Sequence, residues 1–172
     1  SMVMREEERR NTAYHESGHA VVAKLLPKAD PVHKVTIMPR GMALGLTWQL
    51  PEHDRVNMYK DKMLEDIAIL FGGRIAEEIF MNQMSTGASN DFERATKLAR
   101  AMVTRFGMSE SLGTMVYEDS DQDSYFGRMS SKTVSEATQQ KVDMEIRSIL
   151  DEQYALSRSL LERNKDKVEM MA

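Results

Sequence analysis

The stretch NTAYHESGHAVV, residues 11–22, sets two histidines four positions apart with a glutamate directly after the first. Four residues make about one turn of an α-helix, so His15 and His19 would present their imidazoles to one point on one face. Gly18, Val22, Leu25 and Leu26 continue that stripe and Pro27 stops it. The segment therefore reads as a helix ending near Leu26, with both histidines turned inward or into a cleft. Zinc takes about four ligands, and a pair of imidazoles at this spacing supplies two of them. Glu16 lies on the flank of the same face, where a carboxylate can take the proton of a metal-held water and later pass it to a leaving amine. His-Glu-x-x-His is thus a spacing suited to peptide hydrolysis. Two buried rings without partners would be costly, which weighs against a pair of plain core histidines. His33 and His53 have no ligand spacing and read as surface or hairpin histidines.

The whole chain narrows the reading further. Its 172 residues are 41% hydrophobic and 29% charged, enough for one domain with a proper core. A net charge of −4 and the lack of a basic stripe give no reason to expect nucleic-acid binding. The absence of cysteine excludes disulfides, thiol catalysis and cysteine metal sites. No apolar run approaches the ~18 residues that span a bilayer. Residues 1–4, opening Ser1-Met2, read as a cloning scar or linker ahead of an internal fragment. Residues 5–172 read as one zinc metallopeptidase domain, of which 115–172 include a surface loop and a C-terminal helix.

The expected fold class is mainly α, with one small β-hairpin and a long last helix. Residues 5–10 mix charges at helical spacing and read as solvated turns. Residues 32–50, with β-branched and apolar residues around Pro39-Arg40-Gly41, read as the hairpin. A second helix is expected from about Val56 to Met81, with Leu64, Ile67, Ala68, Phe71, Ile75 and Ile79 as its buried stripe. Gly72-Gly73 interrupts it at about 1 kcal/mol per glycine relative to alanine, which suggests that another backbone passes close by. A third helix is expected from Asn90, capped by an Asn90–Glu93 box, to about Phe106. Residues 118–131 read as an acidic, serine-rich loop. Thr133 and Glu136 would cap the long final helix, with Val142, Ile146, Ile149, Leu150, Leu160 and Leu161 inward.

The third ligand must come from outside the first helix, because Val22 and Leu25 stand where an extended motif would place Gly and His. Asp91 leads the stripe Ala95, Leu98 and Met102, so its carboxylate faces the core, and it is the favoured ligand. An outward-facing aspartate would suit a role at the helix dipole better. Glu77 and Glu78 compete. One of them could bind zinc or accept a hydrogen bond from the far nitrogen of a zinc-bound histidine, and Glu77 is assigned the latter role.

With these motifs in order, the chain resembles the peptidase domain of the FtsH family of membrane-anchored AAA+ zinc proteases, in a bacterial form. The resemblance runs through TAYHESGHA, DPVHKVTIMPRG, LGLTWQLPE, FGGRIAEEIF, STGASND and MVTRFGMSE. It implies His15, His19 and Asp91 as ligands of one zinc ion per chain, Glu16 as the catalytic glutamate and Glu77 beside the zinc histidines. It also implies an ATPase module and transmembrane helices upstream, so that ATP binds only outside this chain, which has no Gly-x-x-x-x-Gly-Lys loop. Unfolded or membrane-protein polypeptides as substrates, a homo-hexamer, and a place on the cytoplasmic side of the bacterial inner membrane follow from the same resemblance. The hairpin would hold substrate as an added strand along 35–38 or 44–47.

Overall fold

A computed structural model describes residues 2–27, 57–117 and 135–172. The described residues form five α-helices: α1 (Met2–Leu25), α2 (Lys60–Ala76), α3 (Ser89–Thr104), α4 (Glu136–Arg163) and α5 (Lys165–Met171). The expected hairpin, its substrate edge, His33, His53 and the 118–131 loop lie outside the described residues. The mainly α class holds, and no helix among the described residues is long and apolar enough to cross a membrane.

Helix α2 is the centre of the fold, packed by α1, α3 and α4. From Asp66 to Ala76 only Arg74 keeps partial exposure. A single stripe was expected; burial all round adds Met63, Ile69 and Leu70 to it, while Leu64 and Ile79 are only half-buried. Each such large apolar side chain contributes about 1.5–3 kcal/mol by leaving water. Residues 5–10 of α1 are exposed, as their charge pattern requires.

The tightest packing is where α1 crosses α2. A Cβ on Gly72 would lie 2.7 Å from the Gly18 carbonyl oxygen, and one on Gly18 would collide with the Gly72 carbonyl oxygen and stand 2.7 Å from Ala76 Cβ. Glycine at both positions lets the two backbones touch. The crossing sits between His15 and His19 on α1, so it sets the height of both rings above α2.

Helix α2 continues into a π-helical turn, Glu77–Met81, which Asn82 ends in the left-handed region at φ 51°. Tyr14 of α1 stacks on Phe80 of this turn, ring centroids 4.8 Å apart. Successive residues of a helical turn point to different sides. Glu77 thereby faces α1, while Glu78 faces α4, where it accepts hydrogen bonds from Tyr154 Oη at 2.5 Å and Arg158 Nη1 at 3.0 Å.

Helix α2 starts at Lys60, about four residues later than expected, and three further boundaries differ from expectation. Helix α3 begins at Ser89 with no side-chain cap, because a 3₁₀ turn, Thr86–Ala88, leads into it and Asn90 is already helical. Glu93 there pairs with Lys97 at 3.3 Å instead of closing a capping box. Ser135 caps α4 by accepting from Thr138 N at 3.2 Å, so Glu136 is the first helical residue and not the far end of a box. The long final helix breaks at Asn164, whose side-chain Nδ2 donates to the Leu160 carbonyl oxygen at 2.7 Å, and α5 then packs back on α1. A side chain that competes for a backbone acceptor in this way interrupts the helical ladder.

The Glu78 cluster has a measurable signature. Burial and the Glu78 carboxylate raise the Tyr154 hydroxyl above its ordinary value, with Arg158 offsetting part of the rise. Above about pH 10 an unfolded chain releases this proton while the folded chain keeps it. The contribution to stability is therefore complete below that pH and is lost as pH rises through the folded value. Thermal midpoints between pH 9 and 11 should fall more steeply for the parent than for Tyr154→Phe. Parallel curves would show that Tyr154 does not titrate across folding.

Candidate metal centre

Three elements meet at one point: α1 brings His15 and His19, α3 brings Asp91, and the floor is Gly73 of α2. Asp91 Oδ2 lies 2.9 Å from His15 Nε2 and 3.2 Å from His19 Nε2, and the two Nε2 atoms are 2.9 Å apart. All three residues are buried, His19 almost completely. Gly73 gives them room, since a Cβ there would stand 2.5 Å from His15 Nε2 and 2.6 Å from His19 Nε2.

The far side of each ring fixes its tautomer. His15 Nδ1 meets Glu77 Oε2 at 2.8 Å, and His19 Nδ1 meets the Ile69 carbonyl oxygen at 2.7 Å. Both partners only accept, because hydrogen bonds hold the Glu77 carboxyl ionised, so both Nδ1 atoms donate. A neutral ring then offers a lone pair at Nε2. Two such lone pairs and a carboxylate oxygen within about 3 Å require a positive charge among them, either a proton or a metal ion.

Ionisation follows the same geometry. Burial would raise the Asp91 carboxyl, but hydrogen bonds and charge from His15 and His19 outweigh it and bring it down to about 2. Burial alone would lower His15, yet the Asp91 and Glu77 carboxylates raise it. Glu77 is fully buried and still lies below the usual range, because bonds from Ser85, Asn11 and His15 overcome the burial. Glu16 goes the other way: burial raises it, with the two histidines offsetting only part.

The donor set fits a zinc ion. Two imidazole nitrogens and one carboxylate oxygen are the number and kind of ligands that catalytic zinc sites take. Their mutual separations, 2.9, 2.9 and 3.2 Å, fall just short of the tetrahedral edge of about 3.3 Å expected from zinc–ligand bonds. Glu16 supplies a second mark of fit. It is half-buried beside the cluster, and its buried Oε2 makes no hydrogen bond within the chain. It opens onto a shallow groove along α1 shared with Arg9 and Thr12.

Residues 2–172 match Peptidase family M41. The chain belongs to that family. Its relatives include proteins called ATP-dependent zinc metalloprotease FtsH. The one from Cupriavidus metallidurans is 79% identical over 171 residues, which cover 99% of this chain and 26% of that protein. The one from Myxococcus xanthus is 54% identical over 166 residues, 95% of this chain and 26% of that protein. The one from Photobacterium profundum is 46% identical over 170 residues, 96% of this chain and 24% of that protein. The chain thus spans about a quarter of the length of these M41 relatives.

Of the residues singled out from the sequence, His15, His19 and Asp91 converge, Glu77 bonds His15, and Glu16 stands at the edge. Glu78, the competing carboxylate, is turned to α4. Sequence reasoning missed Asn11, Ser85 and the contact of Gly73 with the rings. Asn11 could have been found, because it lies four residues before His15 on the same helical face.

Proposed function

We propose that this M41 chain is a zinc-dependent endopeptidase unit that hydrolyses unfolded polypeptides. His15, His19 and Asp91 would hold one zinc ion. When bound, zinc supplies Lewis acidity, which lowers the pKa of a water and polarises a carbonyl. Glu16 takes the proton of the attacking water and returns it to the leaving amine, and its half-buried carboxylate, with Oε2 free of any hydrogen bond within the chain, suits both transfers. Glu77 and the Ile69 carbonyl keep the two rings in the tautomer that leaves Nε2 free.

In the whole protein we infer an ATPase module that delivers substrate, a homo-hexamer, and a place at the cytoplasmic face of the bacterial inner membrane. Membrane proteins would then be among the substrates. The relatives' names, which join ATP dependence to zinc proteolysis, support the first of these. The rest follow from the family resemblance carried by the motifs within residues 12–110. Residues 5–172 would act as a single catalytic unit.

One observation carries this reading: three lone-pair donors converge while both Nδ1 atoms are committed elsewhere. The test is the zinc-to-chain ratio after dialysis, for the parent and for Asp91→Asn. The parent should hold about one zinc per chain and the variant well below that, since an amide oxygen is a far weaker ligand than a carboxylate. A variant that keeps zinc as tightly as the parent would remove Asp91 from the ligand set.

A further inference from the structure

The Glu77 carboxylate is held at both oxygens, and the residues on its second oxygen belong to the elements that carry the ligands. Oε2 takes His15 Nδ1. Oε1 accepts from Asn11 Nδ2 at 2.7 Å and from Ser85 Oγ in a short hydrogen bond. Asn11 stands on α1 one turn before His15. Ser85 opens the 3₁₀ turn that leads into α3 and Asp91, and its hydroxyl also accepts from Gly87 N at 3.2 Å and Asn11 Nδ2 at 3.4 Å. The Ser85 carbonyl takes Arg74 Nη2 at 2.9 Å, and that guanidinium lies 4.7 Å from the ring centre of Phe92, the neighbour of Asp91. The Asn11 amide serves Glu77 while its own buried Oδ1 has no hydrogen-bond partner in the chain.

With Oε1 pinned by two donors, the carboxylate cannot rotate about its last bond, and Oε2 stays aimed at His15 Nδ1. A carboxylate free to turn would let His15 swing its Nε2 away from His19 and Asp91. We infer that Asn11 and Ser85 are positioning residues for the metal centre, acting through Glu77 on His15. The inference rests on the proposed zinc site at His15, His19 and Asp91. A role confined to holding α1 against α2 would lower the melting temperature of the metal-free chain and leave the zinc affinity of the folded chain unchanged.

The test is zinc affinity of the full chain, measured by competition with a chromophoric chelator, together with thermal melting of the metal-free chain. Asn11→Ala and Ser85→Ala should each weaken zinc binding by about 10-fold or more, the scale seen when partners of metal ligands are lost. Ser85→Thr, which keeps the hydroxyl, should bind zinc as the parent does. In a Glu77→Ala background the same two alanine changes should alter affinity less than about twofold, because their route to the metal is gone. Should Asn11→Ala fail to fold, the Ser85 variants decide alone. Parent-like affinity in Ser85→Ala, or an undiminished effect of Ser85→Ala without Glu77, would overturn the inference. If the parent itself binds no zinc, the metal-centre reading falls, and this inference with it.

Discussion

A Glu16→Gln chain should fold and hold zinc as the parent does while losing hydrolysis of an unfolded substrate such as casein by about 100- to 10,000-fold, the usual contribution of a positioned general base. The change replaces one oxygen by an amide nitrogen at almost constant shape. Glu16 makes no hydrogen bond through Oε2, so the fold does not lean on that atom. It also lies outside the set of three converging donors, so metal content should not move. What glutamine cannot do is accept a proton and give it back. Burial already holds the Glu16 carboxyl above its ordinary value, the direction that suits a group meant to do both. Casein cleavage at the parental rate would exclude Glu16 as the base. Loss of zinc in step with activity would instead make it a structural part of the site.

Gly18→Ala should produce the largest loss of stability of any single methyl added to α1. The new Cβ would run into the Gly72 carbonyl oxygen and the Ala76 Cβ, a backbone atom and a side chain that cannot rotate away. Relief requires α1 and α2 to move apart along the crossing, which uncovers Val22, Ile69 and Ile75. Overpacking of a close crossing costs about 3 kcal/mol or more, at the upper end of what one substitution does. Denaturant unfolding of the metal-free chain measures it, and the same displacement should weaken zinc because His15 and His19 flank the crossing. A loss below about 1 kcal/mol would mean that the helices separate freely, and the crossing could not then be what sets the histidines' height.

What the sequence made legible was what local spacing controls. His15, Glu16 and His19 depend only on the helical repeat. Asp91 was reachable because one polar residue led an otherwise apolar stripe. Gly72-Gly73 announced a close approach, though not that Gly72 meets a backbone and Gly73 meets the imidazoles, since that depends on the angle at which α1 crosses. The π-helical turn had no local sign. It separates Glu77 from Glu78 through partners far along the chain, Asn11 and His15 on one side and Tyr154 and Arg158 on the other. The expected caps give way to neighbouring serines: Asn90 lies inside α3, after the 3₁₀ turn that Ser85 opens by accepting from Gly87 N, and Ser135 caps α4 by accepting from Thr138 N, while Thr133 lies outside the described residues.

The two imidazoles are supported in unlike ways. His19 leans on the main-chain oxygen of residue 69, whereas His15 leans on a side chain and its two attendants. A main-chain oxygen is present whatever residue occupies position 69, so point mutation cannot delete the support of His19. The support of His15 is written in three codons. Of the two rings, His15 alone has a support that a point mutation can delete, so heritable loosening of a ring's hold can enter through positions 11, 77 and 85.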